Sequence, residues 1–160
     1  MKVDMFLKIG DVKGDSVDAK HKGEIELIRA KWGISLSSTN QTGRGGCVGR
    51  PELQALSITK YVDRSSPVLH ALCCAGMQFE QDVLVKRKSG AMPLEYFKFT
   101  MKDVIISNVS MHLGEADQLD QETLTLSFAE YVEEFIPQNA DGSSGAAVRH
   151  GFNVAKNLKL

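Results

Sequence analysis

The stretch EIELIRAKW, Glu24 to Trp32, changes its apolar phase part-way along: Ile25 and Leu27 stand at odd positions, then Ile28, Ala30 and Trp32 at even ones. Strict alternation marks a strand with one buried face, and an extra residue in a β-bulge shifts the phase by one and bends the strand. We therefore expect one long, bent strand from about Glu24 to Ser35. A bent strand suits a sheet that curls towards a barrel and so hides its edges.

The same alternation recurs on both sides. In VDMFLKI the residues Val3, Met5, Leu7 and Ile9 share a face; in ALSITKY Leu56 and Ile58 do; and in ETLTLSF Leu124, Leu126 and Phe128 oppose Thr123, Thr125 and Ser127. Further strands are expected near Phe79 to Lys88, Leu94 to Met101, Val104 to Ser110, Tyr131 to Phe135 and Phe152 to Leu158. One segment breaks the pattern. RSSPVLHALCCAG has Ser66 as candidate N-cap, Pro67 at the first helical position, Val68, Leu69, Leu72 and Cys73 on one side, and Gly76 as a stop. The fold class is thus mainly β: a compact β-barrel of antiparallel strands with one short flanking α-helix and a long extended loop. That loop, Ser37 to Glu52, lacks periodicity and exceeds the roughly 12 to 15 residues at which structureless connections become uncommon. NADGSSGAA, Asn139 to Ala147, is expected to be a flexible link.

At 160 residues the chain is expected to form one domain, 1–160, without needing a disulfide or metal. Its 19 basic and 20 acidic residues leave a formal net charge of −1, which argues against nucleic acid as a partner, since that affinity rests on a dense positive face. Asp4 and Lys8 interrupt the amino-terminal apolar run, so neither a signal peptide nor an anchor is expected. VLHALCCAGM falls far short of the roughly 20 apolar residues that span a bilayer. Synthesis in the cytoplasm follows, with export, if any, by a leaderless route. Three cysteines, Cys47, Cys73 and Cys74, lack the spacing of redox or zinc pairs and are expected as reduced thiols.

The motifs of chemistry fail on their neighbours. TGRGGCVGR, Thr42 to Arg50, is glycine-rich, yet a P-loop starting at Gly43 requires glycine where Val48 stands, and the dinucleotide pattern fails at the same residue. A strand rather than a long helix follows, which removes the helix N-terminus an anion would use. The acidic residues Asp11, Asp15 and Asp18 do not fit a calcium loop, because Lys13 and Lys22 occupy ligand positions; a solvated turn around Gly14 is expected. His21, His70, His112 and His150 show no metal-pair spacing. GSSG at Gly142 to Gly145 is not a nucleophile elbow, and nothing recommends a triad of Ser144, His150 and Asp141. No catalytic, cofactor or metal residue is expected.

Three blocks remain distinctive as a set. VDMFLKIGDVKGDSVD at the start, LSITKYVDRSSPVLHALCCAG in the middle and ADGSSGAAVRHGFNVAKN near the end resemble, in order, the haemolysin-coregulated protein family, the inner-tube protein of the bacterial type VI secretion system. The resemblance runs over essentially the whole chain. Asp15 stands where the family is expected to carry glutamate, and Phe152 where it is expected to carry tryptophan.

The resemblance implies a barrel with one flanking helix, six copies of which form a homohexameric ring. Rings would stack into a tube inside a contractile sheath, with a baseplate and a spike protein as further partners and effector proteins in the lumen. The protein would be secreted to the extracellular space or a target cell, and its role would be structural. With Leu160 about where one tube domain should end, no fused toxin domain is expected. The loop carrying Thr42, Gly43, Arg44, Gly45, Gly46, Cys47, Val48, Gly49 and Arg50 would be the arm that contacts a neighbouring subunit, its glycines allowing close backbone approach and positive φ. With Trp32 inside, alternation sends Arg29 and Lys31 to the other sheet face, which in a ring is either the lumen or the outer wall. The competing readings are a small-ligand- or nucleotide-binding β-barrel enzyme and a monomeric ligand-binding barrel.

Overall fold

The computed structural model describes residues 3–38, 48–88 and 93–160. In chain order the elements are β1 Val3–Ile9, β2 Ile25–Glu26, β3 Arg29–Lys31, β4 Ile34–Ser38, β5 Val48–Leu53, β6 Leu56–Tyr61, α1 Ser66–Ala75, β7 Gln78–Lys88, β8 Leu94–His112, β9 Gln121–Ser127, β10 Glu130–Phe135, β11 Val148–Asn153 and β12 Leu158–Lys159. The fold is mainly β and antiparallel, with one short helix among the described residues.

β8 is the spine. It pairs β7 along most of its length, β10 over Phe97–Lys102 and β9 over Ile105–His112. The two strands expected at 94–101 and 104–110 are therefore one, and Asp103 marks the place where β8 changes partner. Asp103 has φ 55°, a left-handed conformation that Asp tolerates better than most residues.

The phase slip at Glu24 to Trp32 is not a bulge within one strand. Leu27 donates its N–H to Met5 O (2.9 Å), whereas Ile28 donates to Thr59 O (2.7 Å). The chain leaves β1 and joins β6 between these residues, so β2 and β3 belong to different arms of the sheet. One arm runs β12-β11-β10-β8-β7-β1-β2, and β9, β6 and β3 branch from β8. The sheet curls over its core but does not close into the barrel expected: among the described residues β2 and β3, the short strands that end two of its arms, are not paired with each other.

Inside the curl lie Leu7, Ile9, Ile25, Ile58, Leu124 and Leu126, each fully buried. At one end Trp32 packs on Phe99 and Tyr131, with ring centroids 4.7 and 4.9 Å away. α1 adds Leu69, also fully buried. Its last turn ends on Gly76, φ 61°, with the N–H of Gly76 bonded to Cys73 O and that of Met77 to Leu72 O, the left-handed stop that glycine provides. The N-cap is Ser65 rather than Ser66. Ser66 Oγ is drawn away, accepting from Asp63 N and donating to Glu122.

β11 starts at Val148, earlier than expected, and stops at Asn153, whose Oδ1 accepts from Lys156 N (2.8 Å) and turns the chain into β12.

Candidate functional site

β4 and β5 form a two-stranded sheet of their own, apart from the main one. Alternation along ISLSS puts Ile34 and Leu36 on one face, and both are exposed. Pairing runs Ile34 with Leu53 and Leu36 with Pro51, then resumes at Ser38 with Val48. Ser37 thus opposes both Gly49 and Arg50, a bulge in β5. A Cβ at Gly49 would lie 2.5 Å from Ser37 Oγ, so glycine suits the close approach of the two strands there.

The expected contact loop is therefore shorter than its sequence suggested. Val48, Gly49 and Arg50 are strand residues, while Thr42, Gly43, Arg44, Gly45, Gly46 and Cys47 lie outside the described residues. Pro51 and Gly49, both in β5, hid the alternation.

Arg29 and Lys31 are both exposed on β3, and Ala30 between them packs against the core. Trp32 is inside, as their assignment required. Together with Ser57, Thr59, Ser110 and His112 they line a shallow polar depression of about 420 Å³ on the outer surface of β3, β6, β9 and β8. Hydroxyls dominate this face: Thr59 and Thr123 are 3.3 Å apart across strands, as are Ser107 and Ser127.

Beneath it lies a buried polar network. Lys60 Nζ, fully buried, donates to Glu122 Oε1 (2.5 Å), Asp63 Oδ1 (3.0 Å) and Ser66 Oγ (3.1 Å). His70 Nε2 reaches Glu122 Oε2 at 2.7 Å. Burial alone pushes the Glu122 carboxyl up, but hydrogen bonds from Lys60, Ser66 and His70 outweigh it and hold the group below its ordinary value. Every bonded partner ties α1 or the turn before it to β6 and β9. The signal was present in the sequence: Lys60 shares the face of Leu56 and Ile58, and Glu122 that of Leu124 and Leu126.

The acidic segment before β2 is not a solvated turn. Asp18 takes two hydrogen bonds from Arg87 of β7, at 3.1 and 2.5 Å, and this ion pair lowers its carboxyl to about 2. Arg87 also bonds Asp4 and covers the Phe6 ring at 5.2 Å. His21 stacks on Phe6 with centroids 4.4 Å apart and bridges Glu24 to Glu95. These contacts strap residues 11–24 across β1, β7 and β8.

Among the described residues no arrangement for catalysis is assembled. Asp141 accepts from Ser143, and His150 Nε2 meets the Tyr131 hydroxyl at 2.9 Å. Among the described residues no group of His, Cys, Asp and Glu side chains could hold a metal ion. Cys73 packs on the core as expected of a small apolar side chain, and Cys74 is exposed. No helix is long and apolar enough to cross a membrane among the described residues.

Residues 6–135, from β1 through β10, match the family model described as type VI secretion system effector, Hcp. The chain belongs to the Hcp family. It is 40% identical to protein hcp1 of Pseudomonas aeruginosa, covering 99% of both chains. The Hcp1 crystal structure from Salmonella typhimurium superposes with a TM-score of 0.83 at 34% identity, covering both chains in full. A type six secretion system protein gives a TM-score of 0.93 at 25% identity over 99% of this chain and 100% of that one. Hcp proteins are secreted tube proteins of type VI secretion, a structural family tied to virulence. The mainly β fold and the family suggested by its three sequence blocks are thus those of this Hcp chain.

Proposed function

We propose that this chain is the subunit of a homohexameric ring, that rings stack into the inner tube of a type VI apparatus, and that effector proteins travel in the lumen. The β4–β5 hairpin carries this reading: a two-stranded sheet outside the main one, with Ile34 and Leu36 displayed to solvent. Neighbouring exposed apolar side chains on one face of a strand outside the main sheet support a protein contact there. Identical head-to-tail contacts close into a ring when the rotation per contact divides the circle, and the family supplies the count of six.

Further partners on this reading are the spike protein, contractile sheath and baseplate. Synthesis takes place in the cytoplasm, and export proceeds without a cleaved signal peptide. Deleting Gly43 to Gly49 should leave a folded monomer that no longer forms rings. Circular dichroism checks the fold, and sedimentation velocity with negative-stain imaging checks the ring; annuli of unchanged size from the deletion variant would refute the assignment of the hairpin.

A further inference from the structure

Two unlike surfaces stand at the two ends of β8. Where β8 begins, the curled sheet has an open mouth of about 290 Å³ lined by Trp32, Tyr96, Phe97 and Phe135 with Met5 and Leu84. Phe135 is 47% exposed there. The mouth is also cationic: Lys86 lines it, and Lys88 Nζ lies 5.7 Å from the centroid of the Tyr96 ring. Of the carboxylates nearby, Asp4 and Glu95 are engaged by Arg87 and His21, and Glu133 lines the neighbouring hollow that shares Phe97 and Phe135 with the mouth.

Where β8 ends, the turn Leu113 to Asp120 leads into β9. Leu113 is 66% exposed and Leu119 71%. Its charged residues are Glu115, Asp117 and Asp120, all acidic. The turn is tied internally, with Gly114 N donating to Asp120 Oδ1 (2.9 Å) and Gln118 N to Glu115 O (2.8 Å). Its leucines are therefore held out on an ordered support, which lowers the entropy cost of docking them.

We propose that the Leu113–Asp120 turn of one copy docks in the mouth of the next copy, Leu113 and Leu119 against the aromatic lining and Glu115 and Asp117 against Lys86 and Lys88. The inference rests on the tube reading above and names two surfaces that meet in it. Aromatic and leucine side chains supply the desolvated centre, and opposite charges at the rim set orientation. The mouth lies at the start of the 19-residue β8 and the turn follows its end, and no residue of the turn lines the mouth, so the two are separate patches. Each docked copy keeps one of them free, and association propagates instead of stopping at a dimer.

Sedimentation velocity across a concentration series tests the pairing. Leu113→Ser with Leu119→Ser, both on exposed positions, should raise the concentration of half-assembly at least tenfold. The charge reversals Glu115→Lys with Asp117→Lys, and separately Lys86→Glu with Lys88→Glu, should do the same. One chain carrying all four reversals should recover assembly to within about threefold of wild type, a restoration that damage to folding does not produce. Serine variants that assemble like wild type, or a fourfold-reversed chain that stays as weak as either pair, overturn the proposal. Rings that form while every longer assembly ignores the turn overturn it alone; a wild-type chain that remains monomeric overturns the tube reading with it.

Discussion

Asp82 is fully buried on β7 between Ile9 and Met101, and its Oδ1 accepts from Gly10 N at 3.2 Å. Among the described residues its Oδ2 has no hydrogen-bond partner. Burial pushes the carboxyl up to about 7, with the Gly10 N–H pulling weakly the other way. The folded chain therefore keeps a proton that the unfolded chain releases, and stability falls as pH rises from roughly 4 to 7. Asp82→Asn retains an acceptor for Gly10 and removes that titration. Urea unfolding should show the variant more stable by about 2 to 4 kcal/mol at pH 8, with the difference gone near pH 4; equal pH slopes for the two proteins would count against this account. Lys60 and Glu122 show the opposite solution, in which burial is matched by a partner on each charge. Removing one member of such a pair is far more damaging than removing both.

The strap of residues 11–24 depends on close backbone approach. Gly14 N bonds Gly23 O at 2.8 Å, and a Cβ at Gly14 would meet Glu24 O at 2.4 Å and Glu24 C at 2.8 Å. The same Cβ would lie 2.9 Å from Ile25 Cα at the start of β2; all three are backbone atoms that cannot rotate away, so Gly14→Ala must push the Gly14 end of the strap off Glu24 and β2. The expected outcome is cleavage between Lys13 and Lys22 by trypsin at least tenfold faster than in wild type, with the β8–β9 pairing still protected in hydrogen exchange. Uniform loss of protection across both regions would instead mean that the strap and the sheet unfold as one unit. The two-stranded β4–β5 sheet differs in kind. Among the described residues it has two strands and no third, and isolated hairpins are marginal in water, which fits an element completed by a neighbouring copy.

In an assembled ring, the placement of the polar face with Arg29 and Lys31 decides what that face does. Its hydroxyl-rich surface suits a wall along which cargo passes without sticking, and two cations on it would favour acidic effectors. Lys31→Glu is expected to weaken co-purification of an acidic effector several-fold while ring size on a sizing column stays the same. Retention unchanged by the reversal would put this face on the outer wall instead. Charge there acts over about 8 to 10 Å at physiological salt, so added salt should erode wild-type retention as well.

Local pattern was enough to recognise β1, β6, β7, β9 and the helix, because alternation and the Pro67 and Gly76 signals act over a few neighbouring residues. Lys60 and Glu122 were legible as charges on apolar faces, but not as partners, since they lie 62 positions apart. The strap was misread for the same reason: Asp18 finds Arg87 69 positions away, and no local rule distinguishes that contact from water. The unbroken β8 and the exchange of partners between Leu27 and Ile28 depend on which strands lie alongside. Alternation is a property of the chain as written; pairing, burial of charge and the open mouth of the sheet exist only once distant segments share one core.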